Sequence, residues 1–437
     1  MINLFKKFRW NLLKILSNLK FSIILLLIIA FLSMLGTIIE QEKPLQFYQT
    51  QYIQKIPLVN IVAWQVIFVG GFNHIYKTVW FIGLLFCLGC SLISCTFSTQ
   101  LPLLKVSKKW QFFKKKQYYN FLDCTTKLKT HTISHYLEIL SFQNYYIFQQ
   151  KSSFYAYQGL IGRVAPVIVH LSMIFILIGS ILGLNQGFVG QELIPKGEVF
   201  HFQNILNTGK MSIISQKFSG KIKDFFITYN ENGSISQFFS DVIIVDDSNN
   251  VVSQKKIFVN QPLQYQGIYI YQTDWDLLGL RIESNNHSIL QIPFKKVNTK
   301  AGSIWTASIQ DPMDDSKGIS FILTDLTKNL FLYNFKGELI NNYRIGQPVI
   351  LFNRCFKVID IIATTGLQIK TDPGIPIVYL GFFLLMISST ISYCSYSQIW
   401  ILRTPSINYY GGKTNRALLS FEKEFYKTTQ SLEEISE

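Results

Sequence analysis

The chain has 437 residues, 49% of them hydrophobic and 15% charged, with a formal charge of +15. Four apolar runs, each of about twenty residues and so as long as a bilayer's hydrocarbon core is thick, exclude an ordinary soluble enzyme and an unstructured polyelectrolyte. The basic residues sit beside those runs, so the charge reads as membrane orientation and not as a nucleic-acid footprint.

In chain order, residues 1–20 place Leu4, Phe5, Phe8, Leu12, Ile15, Leu16 and Leu19 three and four apart with lysines between them. That spacing predicts a basic amphipathic helix lying on a membrane surface. Residues 21–39, FSIILLLIIAFLSMLGTII, predict a first transmembrane helix. The run is longer than a signal-peptide core and no A-x-A-like site follows, which favours an uncleaved anchor. Residues 40–78 predict a loop in which Ile56–Phe72, broken by Asn60 and Gln65, reads as an interfacial or re-entrant helix. Residues 79–97 predict a second span. Residues 98–163 form a basic module whose KKWQFFKKKQYY, directly after a span, suits anionic lipid headgroups better than nucleic acid. HYLEILSFQNYYIFQQKSSFYAYQG then reads as one helix and a hairpin leading into a third span, residues 164–184.

Residues 185–374 alternate short β-rich runs with turn signals, as in KDFFITYNENGSISQFF, SDVIIVDDSNNVVSQKKIFV and LQYQGIYIYQTDW. They predict hairpins of an antiparallel sheet or sandwich, long enough to bury a core. Residues 375–394 predict a fourth span and residues 395–437 a tail. The expected fold is thus a membrane α + β protein: four transmembrane helices, with the large β-rich domain inserted between spans three and four. Charge by loop agrees with this. Residues 1–20 carry five Lys or Arg and no acid, and residues 98–163 ten against two acids; residues 40–78 and 185–374 are nearly balanced. The alternation puts both termini on the positive side.

Chemistry-bearing residues are few. No G-x-S-x-G, H-E-x-x-H or P-loop motif occurs. Cys87 and Cys90 have redox-motif spacing but sit inside an apolar span, where they read as small packing residues. Cys355 reads as a buried structural cysteine. His201 and His287 are too isolated for a metal site. Asp274, Trp275 and Asp276 read as a strand end, with a docking surface as the other possibility. His74, just before span two, reads first as an interfacial histidine.

His170 is different, because it lies inside the third span, GRVAPVIVHLSMIFILIGSILGL. An ionisable group there is costly and points to function. Seven residues separate it from Arg163, so the two share nearly one helical face with a rise of about 10 Å. Gly179-x-x-x-Gly183 on another face is a helix-contact pattern. Three readings of His170 stay open: a neutral imidazole bonded to a neighbouring span, a proton relay, or a metal ligand. A relay would need further acids or histidines within the spans, and none is there. An imidazole suits iron. A haem would offer Arg163 its propionates, with the other iron ligand coming from a partner protein.

KFSIILLLIIAFLSMLGTIIEQ, FNHIYKTVWFIGLLFCLGCSLISCTFSTQLP, GRVAPVIVHLSMIFILIGSILG, GFVGQELIPKGEVFHFQN and VNQPLQYQGIYIYQTDWDL, in this order, resemble the ResB-like membrane proteins of c-type cytochrome biogenesis, plastid-encoded or cyanobacterial. The resemblance covers most of the chain. It implies a System II membrane subunit of the plastid thylakoid, multi-pass, with both termini and the 98–163 module stromal and the 185–374 domain lumenal. It implies haem as a transient cargo shared with a tryptophan-rich haem-handling membrane protein, and apocytochromes c, cytochrome f among them, as recipients. His170 occupies the family's outstanding histidine position in the third span. With Arg163 and His74 it makes up the expected cofactor-binding set, and His170 is the expected metal ligand. The haem-presenting tryptophan-rich motif is not in this chain, so no complete synthetase is implied. The rival expectations are an assembly scaffold that never touches haem and a transporter of another solute, which would call for inverted repeats and broken helices.

Overall fold

The computed structural model describes residues 2–436 apart from 53–63, 130–132, 202, 214–217, 232–233, 247, 249, 285–287, 300–301, 312–313, 325–328, 335 and 352–353. The chain divides into two compact units, residues 1–180 with 375–437, and residues 181–374.

The first unit opens with helix α1, Ile2–Leu16, whose apolar Phe8, Trp10, Leu12 and Ile15 are exposed. Asn18 breaks the path and caps α2, Leu19–Ile38, by accepting from the Lys20 amide at 2.9 Å. Short helices α3, Leu45–Gln51, and α4, Trp64–Val69, follow. Much of the apolar segment expected at 56–72 lies outside the described residues. After a 3₁₀ turn over Phe72–Lys77 comes α5, Val79–Cys95, capped by the Thr78 hydroxyl. A π turn at Thr96–Gln100 joins it to α6, Leu101–Ser107. Helix α7 is Ile133–Phe142 and α8 is Ile161–Gln186, unbroken through Pro166. An interrupted helix of the kind that forms a midplane solute site is not what this segment makes. Helix α9 is Ile375–Ile391 and α10 is Leu418–Ser436.

Three of these stretches, Leu19–Ile38, Val79–Ser107 and Ile161–Gln186, are long and apolar enough to cross a membrane; α9 is apolar but has 17 residues. In lipid, helices gain nothing by hiding apolar surface from one another, so small residues set their contacts. Ser91 is fully buried; it donates to the Leu16 carbonyl at 2.7 Å and lies 2.7 Å from the Ser22 hydroxyl. Leu25, Leu88 and Leu92 pack with Met173, Ile174 and Leu177, which brings α2, α5 and α8 together. Gly381 of α9 lies against Ile176 and the Ser172 carbonyl of α8, with no space for a Cβ. Gly183, expected in a helix–helix contact, instead lies against the Asp372 carboxylate.

The residues expected as a basic loop and as a tail build one domain. A five-stranded antiparallel sheet runs in the order Cys124–Lys129, Ile407–Thr414, Ser397–Leu402, Ser153–Gln158, Tyr146–Gln150. The tail segment SQIWIL is its middle strand. Strand alternation sends Ile399 and Ile401 to one face, under α7 and α10, where Tyr136, Leu140, Phe421 and Phe425 cover them. Trp400 and Leu402 go to the other face, under Phe112 and Phe113. A strand buried on both faces reads as a continuous apolar run, and that hid it beside the expected fourth span.

The second unit is β-rich. Its spine is two long paired strands, Ile268–Ser284 and Arg354–Thr371. Leu263–Tyr265, Phe188–Pro195 and Ile205–Thr208 extend the same sheet. One half of the spine packs on a four-stranded sheet that contains the expected hairpin Phe218–Tyr229 and Ile235–Asp246, around Ile222, Val242, Ile270 and Leu367. The other half packs on a five-stranded sheet around Leu280, Trp305, Phe321 and Val358. Asp274–Asp276 lie at a bulge in mid-strand, not at a strand end. The Trp305 indole donates to Asp276 at 2.6 Å, and Trp275 packs on Trp305 with ring centres 5.3 Å apart. Trp275 and Asp276 are thereby tied into this core, while Asp274 stays exposed.

Candidate functional site

Thr96 is the first residue of the π turn, and π turns inside helices recur at functional sites. The Thr96 hydroxyl donates back to the Leu92 carbonyl, one turn earlier in α5, at 2.7 Å. His170, nine residues into α8, brings Nδ1 to 3.0 Å from the same oxygen. A hydroxyl has one proton, and the Leu92 carbonyl can only accept. With the hydroxyl proton on Leu92, Nδ1 donates toward Thr96, and the imidazole also hydrogen-bonds the Leu92 backbone. A neutral imidazole donating from Nδ1 carries its lone pair on Nε2. Among the described residues the ring's hydrogen-bond partners are Thr96 and the Leu92 backbone, which lie together on its Nδ1 side. The ring is half-buried and its orientation is set. Metal-ligating histidines are prepared in this way, one nitrogen anchored by an oxygen and the other left as a Lewis base.

The described residues offer no ready-made multi-ligand metal site around His170. They contain no group of three or more His, Cys, Asp or Glu able to hold a metal. His74 is exposed in the 3₁₀ turn, with Nδ1 2.7 Å from Asn73 Oδ1. It precedes the start of α5, whereas Thr96 follows its end. Seventeen residues of helix separate the two ends by about 25 Å, so His74 and His170 cannot share one iron. His201 is exposed, and His287 lies outside the described residues.

Arg163 and His170 lie seven residues apart on α8, and Leu103 and Thr96 lie seven apart on the facing α5–α6 stretch. Thr96 meets His170, while Leu103 and Arg163 line one cavity. The Arg163 guanidinium carbon sits 5.2 Å from the centre of the Tyr396 ring. The Tyr396 hydroxyl donates to the Ser107 carbonyl at 3.0 Å and lies 3.1 Å from that of Tyr155, to which Gln398 also donates at 2.7 Å. Burial, with the Tyr155 hydrogen bond, holds the Tyr396 phenol above its ordinary value. The sequence reading missed Thr96 and Tyr396. Thr96 had a legible signal: a hydroxyl at the positive end of span two, matching the depth of His170 from the positive end of span three. Tyr396 had none, because its position depends on the sheet formed by the tail.

The cysteines form no disulfide. All six are free thiols. Cys87 packs among the leucines of α2, α5 and α8. Cys355 is half-buried rather than buried, and Cys124 is fully buried under α10.

The model of the ResB-like family matches residues 19–327 and 324–426. The chain is 46% identical over 429 residues to the cytochrome c biogenesis protein Ccs1 of Pyropia yezoensis, covering 97% of this chain and 96% of that one. It is 43% identical over 414 residues to Ccs1 of Phaeodactylum tricornutum, 95% and 98% of the two chains. It is 41% identical over 431 residues to the cytochrome c biogenesis protein CcsB of Trichormus variabilis, 98% and 94% of the two. With both the apolar helices and the β-rich domain inside the matched regions, this chain belongs to the ResB-like family.

Proposed function

We propose that this chain is a membrane subunit of cytochrome c maturation, and that it carries haem across the thylakoid membrane jointly with a tryptophan-rich partner of System II. The observation that carries the proposal is His170: an imidazole within a span, anchored on its Nδ1 side by Thr96 and the Leu92 backbone. A bland packing histidine would use both nitrogens. The relatives' printed function, cytochrome c biogenesis, fits a site built to offer a single nitrogen to iron. Haem is the cargo, and what it supplies on arrival is the group that apocytochromes c, cytochrome f included, attach through their cysteines. His170 would hold the iron through its imidazole, and a second ligand would come from the partner. Arg163, about 10 Å away on the same helical face, is a cation available to a propionate. His74, at the far end of α5, is a separate ligand candidate on the opposite membrane side.

The topology of the proposal is four spans, α2, α5, α8 and α9, with both termini stromal and residues 187–374 lumenal. The shared sheet supports it. Strands 153–158 and 397–402 pair, so they lie on one side of the membrane, and an even number of crossings separates them. Helices α8 and α9 are those two. At 17 residues α9 is about 26 Å long, close to a hydrocarbon core.

The test is to purify the chain with its presumed partner from haem-replete cells and record the absorption spectrum. Wild type should carry haem, His170→Ala should lose most of it while the complex stays intact, and cytochrome c assembly should fail. Unchanged haem and unchanged cytochromes in His170→Ala would favour the scaffold that never touches haem.

A further inference from the structure

Around the start of α8, residues of α6, of the 111–122 segment and of the five-stranded sheet enclose a cavity of about 340 Å³. Two cations line it, Arg163 and Lys413, and none of its lining residues is acidic. Among the described ion pairs neither cation takes part. Arg163 lies over the Tyr396 ring, and its Nε is shut away from solvent without a hydrogen bond. A buried guanidinium N–H with no acceptor calls for an explanation. An oxyanion is the acceptor that guanidinium geometry matches.

The remaining lining identifies what carries that oxyanion. Leu103, Val106 and Phe121 are apolar and exposed, and Tyr118 beside them is exposed as well. Trp110, also exposed, stacks on Phe148 nearby in the chain's fold. Exposed aromatics next to basic residues mark a membrane–water boundary. The volume is at the low end for a small-molecule pocket, enough for a polar headgroup but not for acyl chains as well.

We propose that this cavity binds the headgroup of an anionic membrane lipid. A phosphate or sulfonate oxygen set sits on Arg163 and Lys413, Gln398 and Gln111 serve the remaining polar atoms, and the acyl chains leave past Leu103, Val106 and Phe121. The bound lipid fastens the sheet domain to the membrane and gives the two unpaired cations of the cavity, Arg163 and Lys413, a counter-charge. The site does not use the iron ligand His170, but it shares Arg163 with the haem reading, so lipid and propionate compete for that guanidinium.

The test uses the full chain with its partner in mild detergent, titrated with phosphatidylglycerol or phosphatidylcholine and followed by native mass spectrometry. Phosphatidylglycerol should be retained at least about tenfold more tightly than phosphatidylcholine, from two charge-assisted contacts. R163Q/K413Q should abolish that preference, K413Q alone should weaken it several-fold, and K108Q/K109Q on the surface should leave it intact. Equal retention of the two lipids, or retention by K413Q equal to wild type, overturns the proposal. So does displacement of the lipid by millimolar inorganic phosphate, which would make this a free-anion site. Displacement by protoporphyrin IX but not by its dimethyl ester also overturns it, in favour of a propionate. If R163Q does not fold, K413Q decides, because Lys413 is exposed. H170A should keep the lipid whatever happens to haem, so the two readings fail separately.

Discussion

Thr96→Val tests the chemistry of His170 without touching the imidazole. Valine keeps the shape and removes the oxygen that accepts from Nδ1 at 3.0 Å. Leaving a half-buried N–H without its acceptor costs about 1–3 kcal/mol. At about 1.4 kcal/mol per tenfold, that is a factor of about 5 to 150 in the affinity of the correctly oriented ring for iron. Removing the outer partner of a metal-ligating histidine costs about 10–100-fold in affinity, which falls in the same range. Thr96→Val should therefore weaken haem retention about 10–100-fold, and Thr96→Ser should restore it. The assay is the haem-to-protein ratio of the purified two-protein assembly, challenged with increasing free imidazole. Valine should release haem at proportionally lower imidazole, with no loss of helix signal and no loss of the partner. If Thr96→Val binds haem as wild type does, the hydroxyl does not orient the ring and the assignment of the lone pair to Nε2 is wrong. If His170→Ala removes haem while Thr96→Val and Thr96→Ser behave alike, His170 is a ligand but the threonine is not its support.

Three further outcomes follow from the packing. Trp400 is 2% exposed, stacks on Phe113 with ring centres 4.8 Å apart and donates to the Gln111 carbonyl at 2.9 Å. Trp400→Ala should cost about 3–5 kcal/mol in the sheet domain, and truncation after residue 394 should leave residues 98–160 open to protease; survival of that segment would refute the shared sheet. Cys124 is fully buried, and burial, with Glu422 and Asp123 adding, pushes its thiol up to about 11; burial likewise pushes the Tyr145 phenol up to about 12. These are acids that stay protonated in the folded chain after the unfolded chain has begun to ionise, so their contribution is complete below a pH of about 8.5 and declines above it, by up to about 1.4 kcal/mol per pH unit for each group. Thermal unfolding of the sheet domain should be flat from pH 7 to 8.5 and fall towards pH 11, while at pH 8 maleimide should label exposed Cys394 and not Cys124. Asp276→Ala removes the acceptor of the Trp305 indole, so it should destabilise the β-rich domain by about 1–3 kcal/mol without altering haem content. A change in haem content with full stability would return these residues to a docking role.

Local physics was enough for much of this protein. Runs of apolar residues as long as a bilayer determine spans without any tertiary information, because backbone polar groups in lipid must be satisfied within the helix itself. The hairpins of the β-rich domain were legible in their alternation and turn residues, and His170 stood out because charge-bearing groups are scarce in apolar helices. Three things were decided by tertiary structure alone. The tail SQIWIL, apolar on both faces, becomes a middle strand only once Ser153–Gln158 and Ile407–Thr414 lie beside it. Thr96 acquires a role only because α8 brings a ring nitrogen to within 3.0 Å of its hydroxyl. Arg163 becomes a cation in search of an anion only because Tyr396, more than two hundred residues away in the chain, forms the wall it lies over. The physical reason is the same in each case. Burial and helix periodicity act between near neighbours and leave their mark in sequence. Strand pairing and the company a polar atom keeps act between distant segments, and no single segment records them.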